Sequence, residues 1–262
     1  MKKYTMLLLF VCLGFLSCEE VVDIDLNTAE SKLVIDATIK NISYNCIRIT
    51  KTTGYFEENI PFVDNAEVSI IDANGNNYNF EHSEQGLYCG EFLPEANIDY
   101  TLVVVYDNDV YSSTTQLVST VEIDFIEQNN NGGFSGEDIE MKVFFSDPVE
   151  EDNFYFLEFE SSDVNIFDAR SDEFFDGNTI FFTFSDEKLE AGDEVNITLN
   201  GVNGSAYNYL FTLLQQTNST NGPFGTQPAT VRGNIVNETV PDDFPYGYFR
   251  ISEVSAVNIT VQ

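Results

Sequence analysis

The pattern of hydrophobic and polar residues along the chain consists mainly of short alternating segments. Ala66 to Ile70 alternates apolar and polar side chains, as a strand with one buried face does. Asp72-Ala73-Asn74-Gly75-Asn76 follows and suits a tight hairpin, because Asn and Gly tolerate positive φ angles. The same reading predicts seven strands in the first half: Leu33–Lys40, Cys46–Thr52, Ala66–Ile71, Tyr78–His82, Leu87–Phe92, Tyr100–Tyr106 and Val110–Leu117.

Seven short strands separated by turns predict an all-β fold that begins with an immunoglobulin-like β-sandwich over residues 32–119. In that topology the second and fifth strands are neighbours, and these strands carry Cys46 and Cys89. Alternation places both thiols on the face opposite Ile47, Ile49 and Tyr88, outside the core. We therefore predict a disulfide between Cys46 and Cys89, with two unpaired thiols as the alternative.

Residues 120–262 predict a second β-rich domain with one short amphipathic helix. Its strands are expected at Val121–Ile126, Ile139–Phe145, Phe154–Phe159, Thr179–Phe184 and Val195–Leu199, with residues 129–136 as a long flexible loop. The helix is expected near residues 206–217, where Ser205 is placed to cap its first turn. Its apolar stripe consists of Ala206, Tyr209, Leu210, Leu213 and Leu214.

The first 17 residues have the organisation of a secretory signal peptide. Lys2 and Lys3 precede the apolar run Met6–Leu16, which is too short to span a bilayer. Phe15-Leu16-Ser17-Cys18 resembles a lipobox, although Phe15 stands where Leu is usual. We predict cleavage before Cys18, a diacylglycerol anchor with palmitate chains on its thiol, and an acidic tether over residues 18–31. An ordinary signal peptide with a chance cysteine is the alternative.

The chain is strongly acidic, with a formal net charge of −33. That charge excludes nucleic acid as a partner, because phosphate binding needs clustered Lys and Arg. A hydrophobic content of 43% nevertheless provides for packed cores, so the acidity does not indicate disorder. We interpret the charge as a source of solubility rather than as a cation site.

Two acidic clusters have a calcium-binding alternative that we disfavour. Asp147, Glu150, Glu151 and Asp152 flank Phe-rich strands, where carboxylates protect against edge-to-edge pairing. Asp72, Asn74 and Asn76 begin like a calcium loop, but no closing Glu follows, and a hairpin turn explains them. We therefore predict no metal site.

Catalytic motifs are missing from the sequence, so we predict a protein that is not an enzyme and uses no cofactor. His82 is the only histidine and lies between polar neighbours, which favours a surface role. A nucleophile elbow, a phosphate loop and a Cys-x-x-Cys pair are all absent. Glycoside hydrolysis by paired carboxylates remains a minor hypothesis, weakened by the lack of Trp for a sugar platform.

The segment from Gly222 to Phe249 combines aromatic residues with four prolines, which makes regular strands unexpected there. Aromatic side chains anchor many protein interfaces. The candidate residues for partner contact are Phe224, Phe244, Tyr246, Tyr248 and Phe249. The interpretation that we favour is that these rings cover the end of the second core.

Several short motifs along the chain resemble one family. They are Cys18-Glu19-Glu20-Val21-Val22-Asp23-Ile24-Asp25-Leu26, Lys32-Leu33-Val34-Ile35, Gly54-Tyr55-Phe56, Asn65-Ala66-Glu67-Val68, Gly86-Leu87-Tyr88, Asp99-Tyr100-Thr101-Leu102, Gly233-Asn234-Ile235 and Gly247-Tyr248-Phe249. Together they resemble the Bacteroidota lipoproteins catalogued as domain of unknown function 4249. The resemblance implies an outer-membrane lipoprotein whose genes often neighbour those of TonB-dependent receptors.

Glu19 and Glu20 also resemble an acidic signal that directs such lipoproteins to the cell surface, or they simply begin the acidic tether. The function we expect is a non-enzymatic surface subunit that binds a nutrient or a TonB-dependent receptor. The alternative is a structural or adhesive envelope lipoprotein without a transporter partner. The ligand itself is not predicted.

Replacing Cys18 by Ser should abolish lipidation, because serine lacks the thiol that accepts the diacylglycerol. Metabolic labelling with a palmitate analogue measures this, with the unsubstituted chain as control. We expect label in the control and none in Cys18→Ser, which should accumulate as precursor or as an unanchored body. Equal label in both chains would contradict the lipoprotein prediction.

Overall fold

Alternation and turns together produce a fold whose regular elements, in the part of the chain that the structure describes, are strands apart from one helix. The computed structural model describes residues 30–54, 57, 59–217 and 230–262. These residues form β1 (Leu33–Lys40), β2 (Tyr44–Lys51), β3 (Glu67–Asp72), β4 (Asn77–His82), β5 (Leu87–Glu91), β6 (Tyr100–Tyr106), β7 (Asp109–Thr115), β8 (Leu117–Val118), β9 (Ile123–Gly132), β10 (Asp138–Ser146), β11 (Phe154–Glu160), β12 (Asn165–Ser171), β13 (Thr179–Asp186), β14 (Glu194–Gly201), helix α1 (Gly204–Thr217), β15 (Val236–Asn237), β16 (Tyr246–Ser252) and β17 (Val254–Thr260). The all-β prediction is confirmed.

The first sheet has ten strands in the order β15-β7-β6-β3-β4-β5-β2-β1-β16-β8. Its β4 pairs with β3 through Asn77–Phe80 and with β5 through Glu81 and His82, so it links two sets of strands. Alternate residues from both sets point to one core, which contains Ile35, Ile47, Ile70, Leu102 and Val104. All seven strands predicted for residues 32–119 form, within two residues of their expected starts.

The disulfide joins the strands that the sandwich topology predicts to be neighbours. Cys46 lies directly opposite Cys89 in the antiparallel pair of β2 and β5. Their Cα atoms are 4.1 Å apart and the sulfurs are bonded at 2.04 Å. Both cysteine side chains lie on the outer face of the sheet. The next pair along these strands, Ile47 and Tyr88, points into the core.

The second lobe is a sandwich of two smaller sheets. One has the order β13-β10-β9 and the other β12-β11-β14-β17. Their facing residues form a second core that includes Phe145, Phe159, Phe184, Ile197 and Leu199. Residues 129–136 are not the long loop that was expected, because β9 continues to Gly132 and only a short turn separates it from β10.

The predicted division of the chain at residue 119/120 differs from the structure, because the carboxyl-terminal segment returns to the first sheet. Ser31–Gln262 is a single compact unit. In it, β15 pairs with β7, and β16 pairs in parallel with β1 from Val34↔Tyr246 to Lys40↔Ser252. β17 then joins β14 in the second lobe. The pairings of β15 with β7 and of β16 with β1 connect residues more than 120 positions apart, which local pattern does not reveal.

The helix begins two residues before its predicted start. Asn203, rather than the predicted Ser205, caps it, with its Oδ1 accepting a hydrogen bond from the backbone N–H of Ala206 at 2.8 Å. Ala206 is buried, and the rest of the predicted stripe is only partly covered. None of the helical residues that the structure describes forms a segment long and apolar enough to cross a membrane.

Removing the disulfide should lower the free energy of unfolding by about 3 to 4 kcal/mol, because it closes a 43-residue separation in the unfolded chain. The Cys46→Ala, Cys89→Ala double variant is compared with the oxidised chain by urea denaturation. Both thiols are on the outer face, so the core should survive the change. An unchanged unfolding midpoint would contradict this prediction, and reduction of the native chain provides an independent check.

Candidate functional site

A groove of about 500 Å³ lies where the first sheet, the four-stranded sheet and α1 meet. Its floor is the outer face of β1 and β16, and β11, β12 and α1 form its walls. Its volume is within the range of about 300 to 1,000 Å³ that is typical of small-ligand sites. The lining residues are Val34, Asp36, Thr38, Lys40, Phe156, Glu158, Phe167, Tyr209, Leu210, Leu213, Leu214, Gly247, Tyr248 and Arg250.

The floor follows from the alternation of β1 and β16. In β1 every second residue from Leu33 to Ile39 is buried in the core. The alternate side chains of Asp36, Thr38 and Lys40 therefore face the groove. In β16, Phe249 and Ile251 join the first core, while Tyr248 and Arg250 point to the opposite face. Because β1 and β16 run parallel, Thr38 lies beside Arg250 and Asp36 beside Tyr248.

Gly247 allows the two floor strands to approach closely. Its φ is +96°, and a Cβ there would lie 2.0 Å from the carbonyl oxygen of Ile35. A side chain at this position would therefore strain the backbone and clash with β1. The glycine keeps the floor flat at the point where the groove opens.

Arg250 is the most unusual residue of the groove. Its side chain is only 8% exposed, and its Nη1 atom is buried without a hydrogen-bond partner. Among the described residues, no carboxylate forms an ion pair with it, and its guanidinium lies 5.0 Å from the centre of the Phe156 ring. Burial lowers the pKa of Arg250, and the nearby Glu158 and Asp36 carboxylates oppose that shift. A buried guanidinium normally has acceptors, so this arrangement is costly without a ligand.

The other basic residue of the groove is already paired. Lys40 Nζ lies 2.8 Å from Glu158 Oε2. Asn200 Nδ2 donates to the same oxygen at 3.1 Å and to the Phe156 carbonyl at 3.0 Å, which fixes Glu158 on β11. Asp36 accepts a hydrogen bond from Thr38 Oγ1 at 3.0 Å and forms no ion pair with a described residue.

The walls are apolar and aromatic. Tyr209 of α1 packs on Tyr248 with a ring-centre distance of 4.8 Å, and Phe156 stacks with Phe167 at 6.0 Å. Burial raises the pKa of Tyr209 and Tyr248, and Asp36 raises that of Tyr209 further. Leu213 is 39% exposed, so the helix leaves part of its apolar stripe open to the groove. The arrangement can bind an apolar ligand that carries charges.

A separate acidic cluster contains Asp147, Asp172 and Asp176, each with a carboxylate oxygen within 4.8 Å of the others. Asp147 accepts hydrogen bonds from the Tyr155 hydroxyl and, at 3.1 Å, from the Gly177 N–H. The N–H groups of Asn153 and Glu150 donate to Asp172 and Asp176 at 2.6 and 3.0 Å. These bonds tie two loops of the second lobe together, and burial with the Asp147 contact raises the pKa of Tyr155.

The acidic residues Asp147, Glu150, Glu151 and Asp152, which were predicted to protect strand edges, differ in their burial. Glu150, Glu151 and Asp152 are exposed, as residues that protect a strand edge would be. Asp147 is only 6% exposed, so it does not act at the surface. The Asp72 turn is also structural, because its carboxylate accepts hydrogen bonds from the N–H groups of Asn74 and Asn76.

The structure separates the aromatic residues that were candidates for partner contact. Phe224 lies outside the described residues, as do the signal peptide, Cys18, Glu19 and Glu20. Phe249 is completely buried in the first core, and Tyr248 is 7% exposed on the groove floor, so neither offers an open surface. Tyr246 and Phe244 are half-buried. In the described part of this segment, residues 230–249, strand forms only at Val236–Asn237 and from Tyr246 onward, where Pro245 directly precedes β16.

Sequence reasoning missed the residues that make the groove, namely Asp36, Lys40, Glu158 and Arg250. One signal was present, since Arg250 interrupts an otherwise apolar strand in a chain that has only 11 basic residues. His82, by contrast, is exposed as predicted and lies 2.9 Å from Asp64 Oδ1.

Comparisons with known proteins give one family and several distant structures. The sequence profile of the family described as "Domain of unknown function (DUF4249)" matches residues 19–257. No curated protein matches the chain. Among solved structures, a two-domain fibronectin type III segment of chicken tenascin has 13% identity and a TM-score of 0.22, covering 66% of this chain and 90% of that chain. A chain of a cytokine receptor complex has 12% identity and a TM-score of 0.24, and the match covers 67% of this chain and 86% of that chain.

Replacing Arg250 by Met should raise the free energy of unfolding of the ligand-free protein by about 1 to 3 kcal/mol, because an apolar side chain removes the desolvation penalty of an unpaired buried charge. Urea denaturation measures the change. Arg48→Met is the matched control, since Arg48 is exposed and should shift stability by no more than about 0.5 kcal/mol. A loss of stability in Arg250→Met would show instead that the fold itself compensates the charge.

Proposed function

This chain belongs to the family described as domain of unknown function DUF4249, and on that basis we propose that it is a non-enzymatic, lipid-anchored binding protein of the outer membrane. In this proposal, Cys18 carries the anchor and the body presents the groove between β1, β16 and α1 to a small ligand. The protein then acts as an accessory subunit of a TonB-dependent receptor in nutrient uptake.

The observation that carries the proposal is the Arg250 guanidinium, which is buried in an open groove without a hydrogen-bond acceptor among the described residues. Polar groups that are left unpaired in the free protein are a property of sites that gain their partner from a ligand. A rigid sheet floor also suits recognition, because it keeps its polar groups in fixed positions.

The charge of the body supports the same assignment. A net charge of −33 keeps the tethered protein soluble and away from anionic lipid surfaces. The groove differs from that background, since it brings Lys40 and Arg250 together with Asp36 and Glu158. Because the groove has two basic and two acidic side chains, it is suited to a ligand without a large net charge.

A second candidate is a structural or adhesive envelope protein without a transporter partner. It is favoured by a row of phenyl rings across the outer face of the three-stranded sheet, where Phe125 stacks on Phe144 at 4.4 Å and Phe144 contacts Phe181 at 5.1 Å. Phe125 and Phe181 are 48% and 49% exposed. Exposed apolar groups of this kind are typical of contact surfaces.

Affinity purification of the tagged full chain from native membranes tests the receptor proposal. We expect a β-barrel receptor to co-purify and to be identified by mass spectrometry. The matched control joins residues 1–31 to an unrelated soluble protein, so that it shares the anchor and lacks the folded body. Recovery of the same proteins with the control, or of no barrel with the full chain, would contradict receptor association and favour the structural or adhesive candidate.

A further inference from the structure

We propose that the groove binds a short apolar peptide as a zwitterion, with the peptide carboxylate at Arg250 and its ammonium group at Asp36. This inference rests on the proposed binding function and adds the chemical class of the ligand. It depends on three features of the groove: which charges are already paired, how far apart the unpaired ones are, and what lines the space between them.

The charges of the groove divide into one close ion pair and two groups outside any such pair, namely the buried Arg250 and the exposed Asp36. Lys40 and Glu158 are joined at 2.8 Å, and Asn200 also donates to Glu158. Among the described residues, neither Arg250 nor Asp36 forms an ion pair. The two unpaired groups have opposite signs, so the complementary ligand carries one negative and one positive charge.

The register of the floor strands sets the distance between these two groups. Thr38 is the parallel partner of Arg250, and Asp36 lies two residues before Thr38 on β1. Strand spacing and rise place the Cα atoms of Asp36 and Arg250 about 8 Å apart. An extended peptide of two or three residues spans about 7 to 11 Å, which is comparable with this separation of the Cα atoms.

The surfaces between the two charges are apolar. Leu210, Leu213 and Leu214 of α1 face Phe156 and Phe167 across the groove. Leucine-type or aromatic side chains of the ligand would bury apolar area there. A guanidinium also binds a carboxylate through two parallel hydrogen bonds, which would satisfy donors that the fold leaves unpaired.

Other ligand classes fit these features less well. A fatty acid would use Arg250 and the apolar wall but would leave Asp36 beside its chain. A polyanion would meet Asp36, Glu158 and a body of net charge −33. A neutral sugar would leave the buried guanidinium without an ionic partner. Only a zwitterion with apolar side chains matches every group on the floor and walls.

Isothermal titration of the full chain in phospholipid nanodiscs with trileucine tests the proposal. We expect binding, and a loss of at least about tenfold in affinity in Arg250→Met, as removal of a charge-assisted hydrogen bond requires. Asp36→Asn should weaken binding of trileucine but not of N-acetyltrileucine. Amidation of the carboxyl terminus should weaken binding to the unsubstituted chain and abolish the difference from Arg250→Met.

Two controls separate a binding defect from misfolding. Arg48→Met removes an exposed arginine that hydrogen-bonds the Gln85 carbonyl, and it should bind trileucine as the unsubstituted chain does. Thermal melting of every variant verifies the fold, and a saturating ligand should raise the melting temperature only where it binds.

Three outcomes would overturn the inference. They are absence of trileucine binding at millimolar concentration, equal affinity in a folded Arg250→Met variant, and affinity that does not respond to amidation. Binding of decanoate but not trileucine, with dependence on Arg250, would reject the peptide class and leave the groove as a ligand site. Failure of every probe in the groove together with failure of receptor co-purification would reject the proposed function as well.

Discussion

The structure depends on one constraint, which is that β16 is buried on both faces. It pairs in parallel with β1, and its inward residues Phe249 and Ile251 complete the first core. Its outward-facing Tyr248 is buried in a third cluster, which also contains Phe156 of β11 and Ala206 of α1. Burial of the outward face of β16 therefore packs the second lobe and the helix against the first sheet.

The groove exists because that cover is incomplete. α1 packs closely near Ala206 and progressively less along the stripe toward Leu213. A helix that covered β16 completely would have buried Arg250 against apolar side chains with no space for an acceptor, at a high desolvation cost. Because the far end of the helix is open, a groove remains beside this buried cation.

The acidity of the chain and the neutrality of the groove serve different purposes. Carboxylates spread over strand edges and turns limit association between copies through repulsion. Within the folded body, acidic groups instead fix local geometry, as Asp147 does through Tyr155 and Asp72 does through Asn76.

The sequence alone determined what is local. Alternation and turn residues were sufficient for the strands from Leu33 to Thr115 and for the helix, because each is decided by neighbours along the chain. The Cys46–Cys89 pairing followed from the strand order of an immunoglobulin-like sandwich. Tertiary structure decided the rest. The pairing of β16 with β1 joins residues more than 200 positions apart, and no periodic pattern encodes such a partner. That pairing alone turned Phe249 from a candidate surface contact into core and brought Arg250 beside Thr38, because the burial of a strand depends on what covers its faces.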